Sequence, residues 1–113
     1  MIYEMILWLD DIRNPCQHGA IGAVWARNYE QAIALLETGE VTIASLDHDL
    51  TLEQTIGLSQ DGHTGYDVLV WMEKHDIWPE EVYVHSANPS GRYRMFQVIQ
   101  KHYGKLFQPP FYV

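Results

Sequence analysis

Acidic residues and histidines follow three apolar segments of this chain, where buried strands would end. They are Asp10 and Asp11 after Met5–Leu9, Asp47, His48 and Asp49 after Val41–Leu46, and His85 and Ser86 at the end of the segment 81–85. Clustered carboxylates must be protonated, paired with cations or bound to a metal. Oxygen donors of this kind suit Mg²⁺. We therefore predict Asp10, Asp11 and Asp47 as ligands of a divalent metal, with helix capping or pairing to Arg13 as the alternative.

Two of the histidines stand where both could point into one cleft. His48 and His85 each follow an apolar segment. A pair of imidazoles on opposite sides of a phosphate can act as general base and general acid. We predict that His48 and His85 act as the base and the acid, and that Asp47 also takes part in catalysis. We expect Asp49 either to orient His48 or to join the metal ligands. The alternative is a structural histidine that is hydrogen-bonded to a carboxylate.

The segment 86–92 has the features of an anion-binding helix start. Asn88 followed by Pro89 predicts an N-cap with proline at the first helical position. The free N–H groups and positive dipole end of such a helix attract phosphate. We predict the phosphate-binding residues to be Ser86, Asn88, Gly91 and Arg92. Helix capping by Asn88 alone would explain neither Arg92 nor the preceding His85 and Ser86.

Strand and helix patterns alternate along the chain. Buried strands are predicted at Met5–Leu9, Val41–Leu46 and 81–85, with a shorter strand at 23–27. Helices are predicted from Asn28, from Thr64 or Gly65, and from Asn88 to Gly104, each with an apolar stripe. Residues 10–22 are predicted to be a loop, and residues 50–64 a long polar loop that could close over a substrate.

This alternation predicts a single domain over residues 1–113 with right-handed crossovers. We expect a small flavodoxin-like, three-layer α/β sandwich around a mostly parallel sheet of four to five strands. Ligands of such sheets bind beyond the carboxyl ends of the strands. The predicted catalytic and metal-binding residues follow the strands at this edge.

Composition narrows the classes of partner. The chain has 113 residues, a net charge of −8 and one cysteine, which argues against extended nucleic-acid duplexes and anionic membranes as partners and favours the cytoplasm. No apolar stretch near the start is long enough for a membrane span. Basic residues concentrate near the end, at Arg92, Arg94, Lys101 and Lys105. Three of them, Arg94, Lys101 and Lys105, would share one face of a helix. This face is interpreted as a solvated helix surface, with a phosphate-binding surface as the alternative.

Four ordered motifs resemble one known family. An L-D-D-x-R-x-P opening spans residues 9–15, S-L-D-H-D-L spans 45–50, T-G-Y-D spans 64–67 and H-S-x-N-P-x-G-R spans 85–92. This set is similar to the cyclic-phosphate-processing receiver-like domains, a divergent branch of the response-regulator receivers. The resemblance implies a receiver-like fold and a role on cyclic phosphate termini of nucleic acids or nucleotides. In ordinary receivers the acidic pair and a phosphoacceptor aspartate, here Asp47, hold Mg²⁺, and a Ser or Thr contacts the phosphoryl group.

The expected function is therefore a metal-assisted phosphoester hydrolase that opens a cyclic phosphate on a nucleotide or an RNA end. His48 directly after Asp47 favours hydrolysis, because a plain receiver has no use for it. The rival is a non-enzymatic, degenerate receiver that binds a nucleotide or a protein, or that is phosphorylated on Asp47. The sequence leaves the substrate, the metal and the oligomeric state open.

Overall fold

The computed structural model describes residues 4–51 and 62–111 of the chain. A 3₁₀ helix covers Pro15–His18. In chain order the other elements are β1 (Met5–Leu9), β2 (Val24–Ala26), α1 (Tyr29–Leu36), β3 (Val41–Leu46), α2 (Gly65–His75), β4 (Glu81–Val84) and α3 (Pro89–Tyr103). None of the described helices is long and apolar enough to cross a membrane.

The four described strands form one sheet in the order β2-β1-β3-β4, and every neighbouring pair is parallel. Trp8 is in register with Trp25 on one side and Ser45 on the other, and Ser45 is in register with Tyr83. Parallel strands in this order require crossover connections, which place the carboxyl ends of all four strands at one edge. The receiver-like α/β fold predicted from the sequence is confirmed.

The two faces of the sheet are covered differently. One face carries the main core, in which Leu7, Ala44 and Val84 pack with side chains from α1, α2 and α3. Successive residues of a strand point to opposite faces, so Trp8 and Tyr83 lie on the other side. There Trp8 stacks on His18 of the 3₁₀ helix and contacts Phe111 edge-on, and Tyr83 contacts Phe107 and Phe111. Among the described residues, the 3₁₀ helix and the C-terminal tail form this third layer.

The predicted elements agree closely with the structure where it is described. Strands β1 and β3 have the predicted bounds, whereas β2 and β4 are each shorter than predicted. The predicted loop 10–22 contains the 3₁₀ helix, which starts with Asn14 as N-cap and ends at Gly19 in the left-handed conformation. Most of the long loop predicted at 50–64, the candidate lid, lies outside the described residues.

Candidate functional site

The predicted metal ligands lie at the carboxyl edge of the sheet, where backbone hydrogen bonds fix their positions. The sheet hydrogen bonding continues one residue past the strand ends, because Asp47 N–H donates to Leu9 and His85 N–H donates to Leu46. One carboxylate oxygen from each of Asp10, Asp11 and Asp47 lies within 4.8 Å of the other two. The structure thus brings the three predicted ligands together.

Asp10 is fully buried and accepts hydrogen bonds at both carboxylate oxygens. Its Oδ1 accepts from the backbone N–H groups of Ile12 (2.8 Å) and Arg13 (2.9 Å), and its Oδ2 accepts from the Arg13 guanidinium and contacts His85 Nε2, both at 3.1 Å. Burial raises the pKa of this carboxyl group, but the hydrogen bonds from His85 and Arg13 outweigh it and lower the pKa to about 2. Asp10 is therefore an anion at neutral pH.

For Asp47 and Asp11, the effects that raise the pKa outweigh those that lower it. Burial, followed by the charge of Asp10, raises the pKa of Asp47 to about 7, although Arg13 at 3.6 Å opposes the shift. The same two causes raise the pKa of Asp11. Asp11 Oδ1 is buried and has no hydrogen-bond partner among residues 4–51 and 62–111. An unpaired buried oxygen beside two further carboxylates fits a hard divalent cation, which would supply the missing partner and neutralise the repulsion.

His85 lies beneath the cluster, on the sheet face opposite the main core. Its side chain is 0 % exposed, and its ring stacks on Trp8 with centroids 3.9 Å apart. Nε2 faces Asp10, and Nδ1 lies 2.6 Å from the hydroxyl of Ser45. Burial lowers the pKa of His85. Both ring nitrogens thus have protein partners, which supports a role in holding Asp10 more than direct contact with a substrate.

Replacing Ser45 by alanine is expected to lower the free energy of unfolding by about 1–3 kcal/mol, because His85 Nδ1 would lose its partner in a buried site. Urea titration measures the change. The control is Ser90→Ala, an exposed position on α3 at which a change within about 0.5 kcal/mol is expected. Equal effects of the two substitutions would contradict this account of His85.

His48 and Asp49 form a hydrogen-bonded pair next to the carboxylate cluster. His48 Nδ1 lies 2.6 Å from Asp49 Oδ1, which also accepts from the Asn88 amide at 3.2 Å. His48 Nε2 has no hydrogen bond to another described residue. When Nδ1 carries the proton and donates to Asp49, Nε2 keeps a free lone pair. This arrangement supports the predicted role of Asp49 in orienting His48.

The helix starts close around this pair because two glycines permit it. A Cβ atom built on Gly65, at the start of α2, would overlap the backbone carbonyl of Asp47. A Cβ on Gly91, in the first turn of α3, would overlap the His48 ring. Asn88 caps α3 by accepting from Gly91 N–H at 3.0 Å. The first turn of α3 therefore packs directly on the imidazole of His48.

We expect Gly91→Ala to displace the His48 ring, although alanine normally stabilises a helix relative to glycine. NMR of the His48 ring protons should show a changed environment, and any His48-dependent activity should fall by about tenfold or more. Ser90→Ala, in the same turn, is the matched control. An unchanged His48 spectrum in Gly91→Ala would contradict the close packing.

Ser86 and Arg92 complete the predicted phosphate-binding segment. The Ser86 side chain is buried, and its Oγ accepts from Asn88 N–H at 3.1 Å. Arg92 is exposed and reaches the Ser86 carbonyl at 3.5 Å. Farther along α3, Arg94 lies over the Tyr66 ring and Lys101 pairs with Glu73. These contacts support the interpretation of Arg94 and Lys101 as part of a solvated helix face.

Comparison with known families agrees with this geometry. The family model described as the cyclic-phosphate-processing receiver domain matches residues 5–101, which include the whole sheet, α1, α2, all but the last two residues of α3, and every residue of the site. The chain belongs to this family. Among curated proteins, none matches the chain significantly. Family membership supports a role in cyclic-phosphate processing. This role suggests partners that are related to RNA ends.

This receiver domain also contains site residues that the sequence did not single out. Arg13, considered only as a partner for the acids, contacts both Asp10 and Asp47. Arg27 donates to the Asp11 carbonyl at 2.8 Å and lies over the Trp25 ring. Ser45 lies inside the apolar strand β3, where a polar residue is a signal of a buried hydrogen bond, here to His85 Nδ1.

Proposed function

We propose that this domain hydrolyses a cyclic phosphate on a nucleotide or an RNA end, in a metal-assisted reaction with His48 as general base. One observation carries the proposal: the Asp49–His48 pair, joined at 2.6 Å, directly follows Asp47 of the carboxylate cluster. A cluster that only held a phosphoryl group would not need an oriented imidazole at its edge. Hydrolysis needs one to take a proton from water.

Asp10, Asp11 and Asp47 are the proposed ligands of the metal, with Mg²⁺ the favoured ion for three carboxylates. When bound, a divalent cation would polarise the phosphoryl oxygens and offset the charge that develops on them. Asp10 contributes a fixed anion, because its hydrogen bonds keep it ionised. His85 holds one oxygen of Asp10 from below and so fixes the direction of the other.

His48 is placed to act on water. Nε2 accepts a proton while a water oxygen attacks phosphorus, and one bond from phosphorus to a ribose oxygen breaks. That oxygen takes up a proton, and the product is a phosphate monoester. The sequence suggested His85 as the acid for this last step. The complete burial of His85 supports instead a single histidine, His48, which gives back the proton that it took.

The start of α3 is the proposed phosphate contact. The positive end of the helix dipole lies there, next to Gly91 and His48, and it favours an anion. Arg92 is exposed at the same place and can grip phosphate oxygens with two N–H groups. Ser86 and Asn88 fix the backbone of this turn through their own hydrogen bonds. Because the domain is small and acidic, the proposed substrate is a mononucleotide or a short RNA end rather than a long RNA. The proposed location is the cytoplasm.

Phosphorus NMR of a 2′,3′-cyclic nucleotide incubated with the domain and Mg²⁺ tests the proposal. Conversion of the cyclic ester to a monoester, at a rate proportional to protein concentration, is expected. A parallel incubation with acetyl phosphate, followed by mass spectrometry of the protein, tests the rival. A phosphorylated Asp47 with no turnover of any cyclic nucleotide would overturn hydrolysis in favour of a receiver that accepts a phosphoryl group.

A further inference from the structure

Arg13 occupies the gap between two of the three proposed metal ligands. One guanidinium nitrogen, NH1, lies 3.1 Å from Asp10 Oδ2 and 3.6 Å from Asp47 Oδ2. Its other two nitrogens make no hydrogen bond or ion pair within residues 4–51 and 62–111. In the structure, Arg13 thus serves as the cation that these two buried carboxylates need.

The backbone of Arg13 is fixed, whereas its side chain reaches toward solvent. Its N–H donates to Asp10 Oδ1 at 2.9 Å, and its carbonyl accepts from the Trp8 indole at 2.9 Å. The side chain is 32 % exposed, against 1 % for Asp10 and 8 % for Asp47. Arg13 is thus a partly exposed side chain that contacts two buried carboxylates.

A divalent cation on the same carboxylates would compete with Arg13. Two positive charges sharing the oxygens of Asp10 and Asp47 repel each other at this range. We propose that Arg13 exchanges partners: it neutralises Asp10 and Asp47 in the metal-free domain and binds the substrate phosphate once a metal holds them. The proposal rests on the proposed metal site and adds a phosphate ligand to it. Guanidinium is well suited to this second partner, because its planar fork matches two phosphate oxygens.

This exchange makes two opposite predictions for one substitution. In Arg13→Gln, Mg²⁺ alone should bind more tightly than in wild type, on the order of tenfold, because its competitor is gone. Inorganic phosphate, with Mg²⁺ saturating, should bind more weakly by a similar factor because a ligand is lost. Partial unfolding would weaken both, so it cannot imitate this pattern. Calorimetric titration with Mg²⁺, and then with phosphate, measures the two affinities.

Arg92→Gln is the matched control, because Arg92 contacts the Ser86 carbonyl and no carboxylate among the described residues. Arg92→Gln should weaken the binding of phosphate and leave the affinity for Mg²⁺ unchanged. Arg13→Lys covers the case in which Arg13→Gln does not fold. Lysine keeps the positive charge but lacks the paired N–H groups of a guanidinium. Arg13→Lys should therefore bind Mg²⁺ as tightly as the wild type does and phosphate less tightly.

Three outcomes would overturn the exchange: weaker Mg²⁺ binding in Arg13→Gln, an unchanged phosphate affinity in that variant, or equal loss of both affinities in Arg13→Lys. The proposed hydrolysis fails separately. Opposite shifts in Arg13→Gln together with an inert 2′,3′-cyclic nucleotide would retain the exchange and overturn only catalysis. A wild-type domain that binds no Mg²⁺ would overturn both.

Discussion

Asp47→Asn is expected to stabilise the metal-free domain at pH 8 and to remove the stabilisation that we expect Mg²⁺ to give the wild type. Asp47 is buried beside Asp10, and its pKa is raised to about 7. Above that pH the folded protein holds an unfavourable charge that asparagine does not carry. The expected gain is on the order of a few kcal/mol, since each pKa unit corresponds to about 1.4 kcal/mol.

The gain should depend on pH with a definite sign. The folded pKa of Asp47 is about 7 and the unfolded value is 3.8, so the folded state binds the extra proton between them. The stability that this proton contributes is fully present below pH 3.8 and is lost as the pH rises through 7. The advantage of Asp47→Asn should therefore be small at pH 4 and largest near pH 8. Because the lowered pKa of His85 affects both proteins, their difference isolates Asp47.

Asp10→Asn is the matched control and should behave in the opposite way. The pKa of Asp10 is lowered to about 2, so its charge stabilises the fold above pH 3.8 and this contribution is lost only as the pH falls through 2. Its replacement should destabilise the domain at pH 8 by about 2 kcal/mol. Melting temperatures measured with and without Mg²⁺ decide the matter. Equal destabilisation by the two substitutions at pH 8 would contradict the described electrostatics.

His48→Ala is expected to reduce turnover of a 2′,3′-cyclic nucleotide by about 10²–10⁴-fold, the usual contribution of a general base. The Mg²⁺ affinity should stay near that of the wild type, because His48 is outside the three-carboxylate cluster. Asp49→Asn should cost less, roughly 10–100-fold, because it removes only the partner that orients the ring. Steady-state rates at saturating Mg²⁺, with calorimetric Mg²⁺ titrations, measure both quantities.

His102→Ala is the control for loss of a histidine as such. His102 is exposed on α3 and stacks on Trp78, and it is not part of the site. Its rate should match that of the wild type. If His48→Ala also kept the wild-type rate, the base would be another group, and the role assigned to the Asp49–His48 pair would be wrong.

The strands and their shared edge were predictable because buried parallel strands are nearly continuous apolar runs. Met5–Leu9 and Val41–Leu46 each run directly into acids, and parallel pairing then places those acids at one edge. The start of α3 was predictable for a similarly local reason, since Asn88 and Pro89 form an N-terminal signature. Each of these features depends on residues that are close together in the chain.

The partners within the site were harder to predict because they depend on register. Trp8, Ser45 and His85 meet on one face only because Trp8 pairs with Ser45 across β1 and β3, and a slip of one residue would turn these side chains to the other face. The sequence does not show this register, and so it left His85 free to be a catalytic acid. The bridge from Arg13 to Asp47 likewise needs the three-dimensional path of the loop after β1.

The most direct test of the central claim compares two Mg²⁺ titrations of the wild-type domain at one temperature and pH. Calorimetry gives the binding constant, and phosphorus NMR gives the rate of opening of a 2′,3′-cyclic nucleotide at each concentration. The account predicts turnover that vanishes with a chelator and reaches half its maximum at the Mg²⁺ concentration that half-fills the site. Turnover that is unchanged by the chelator, or the absence of turnover when the site is filled with Mg²⁺, would contradict this account.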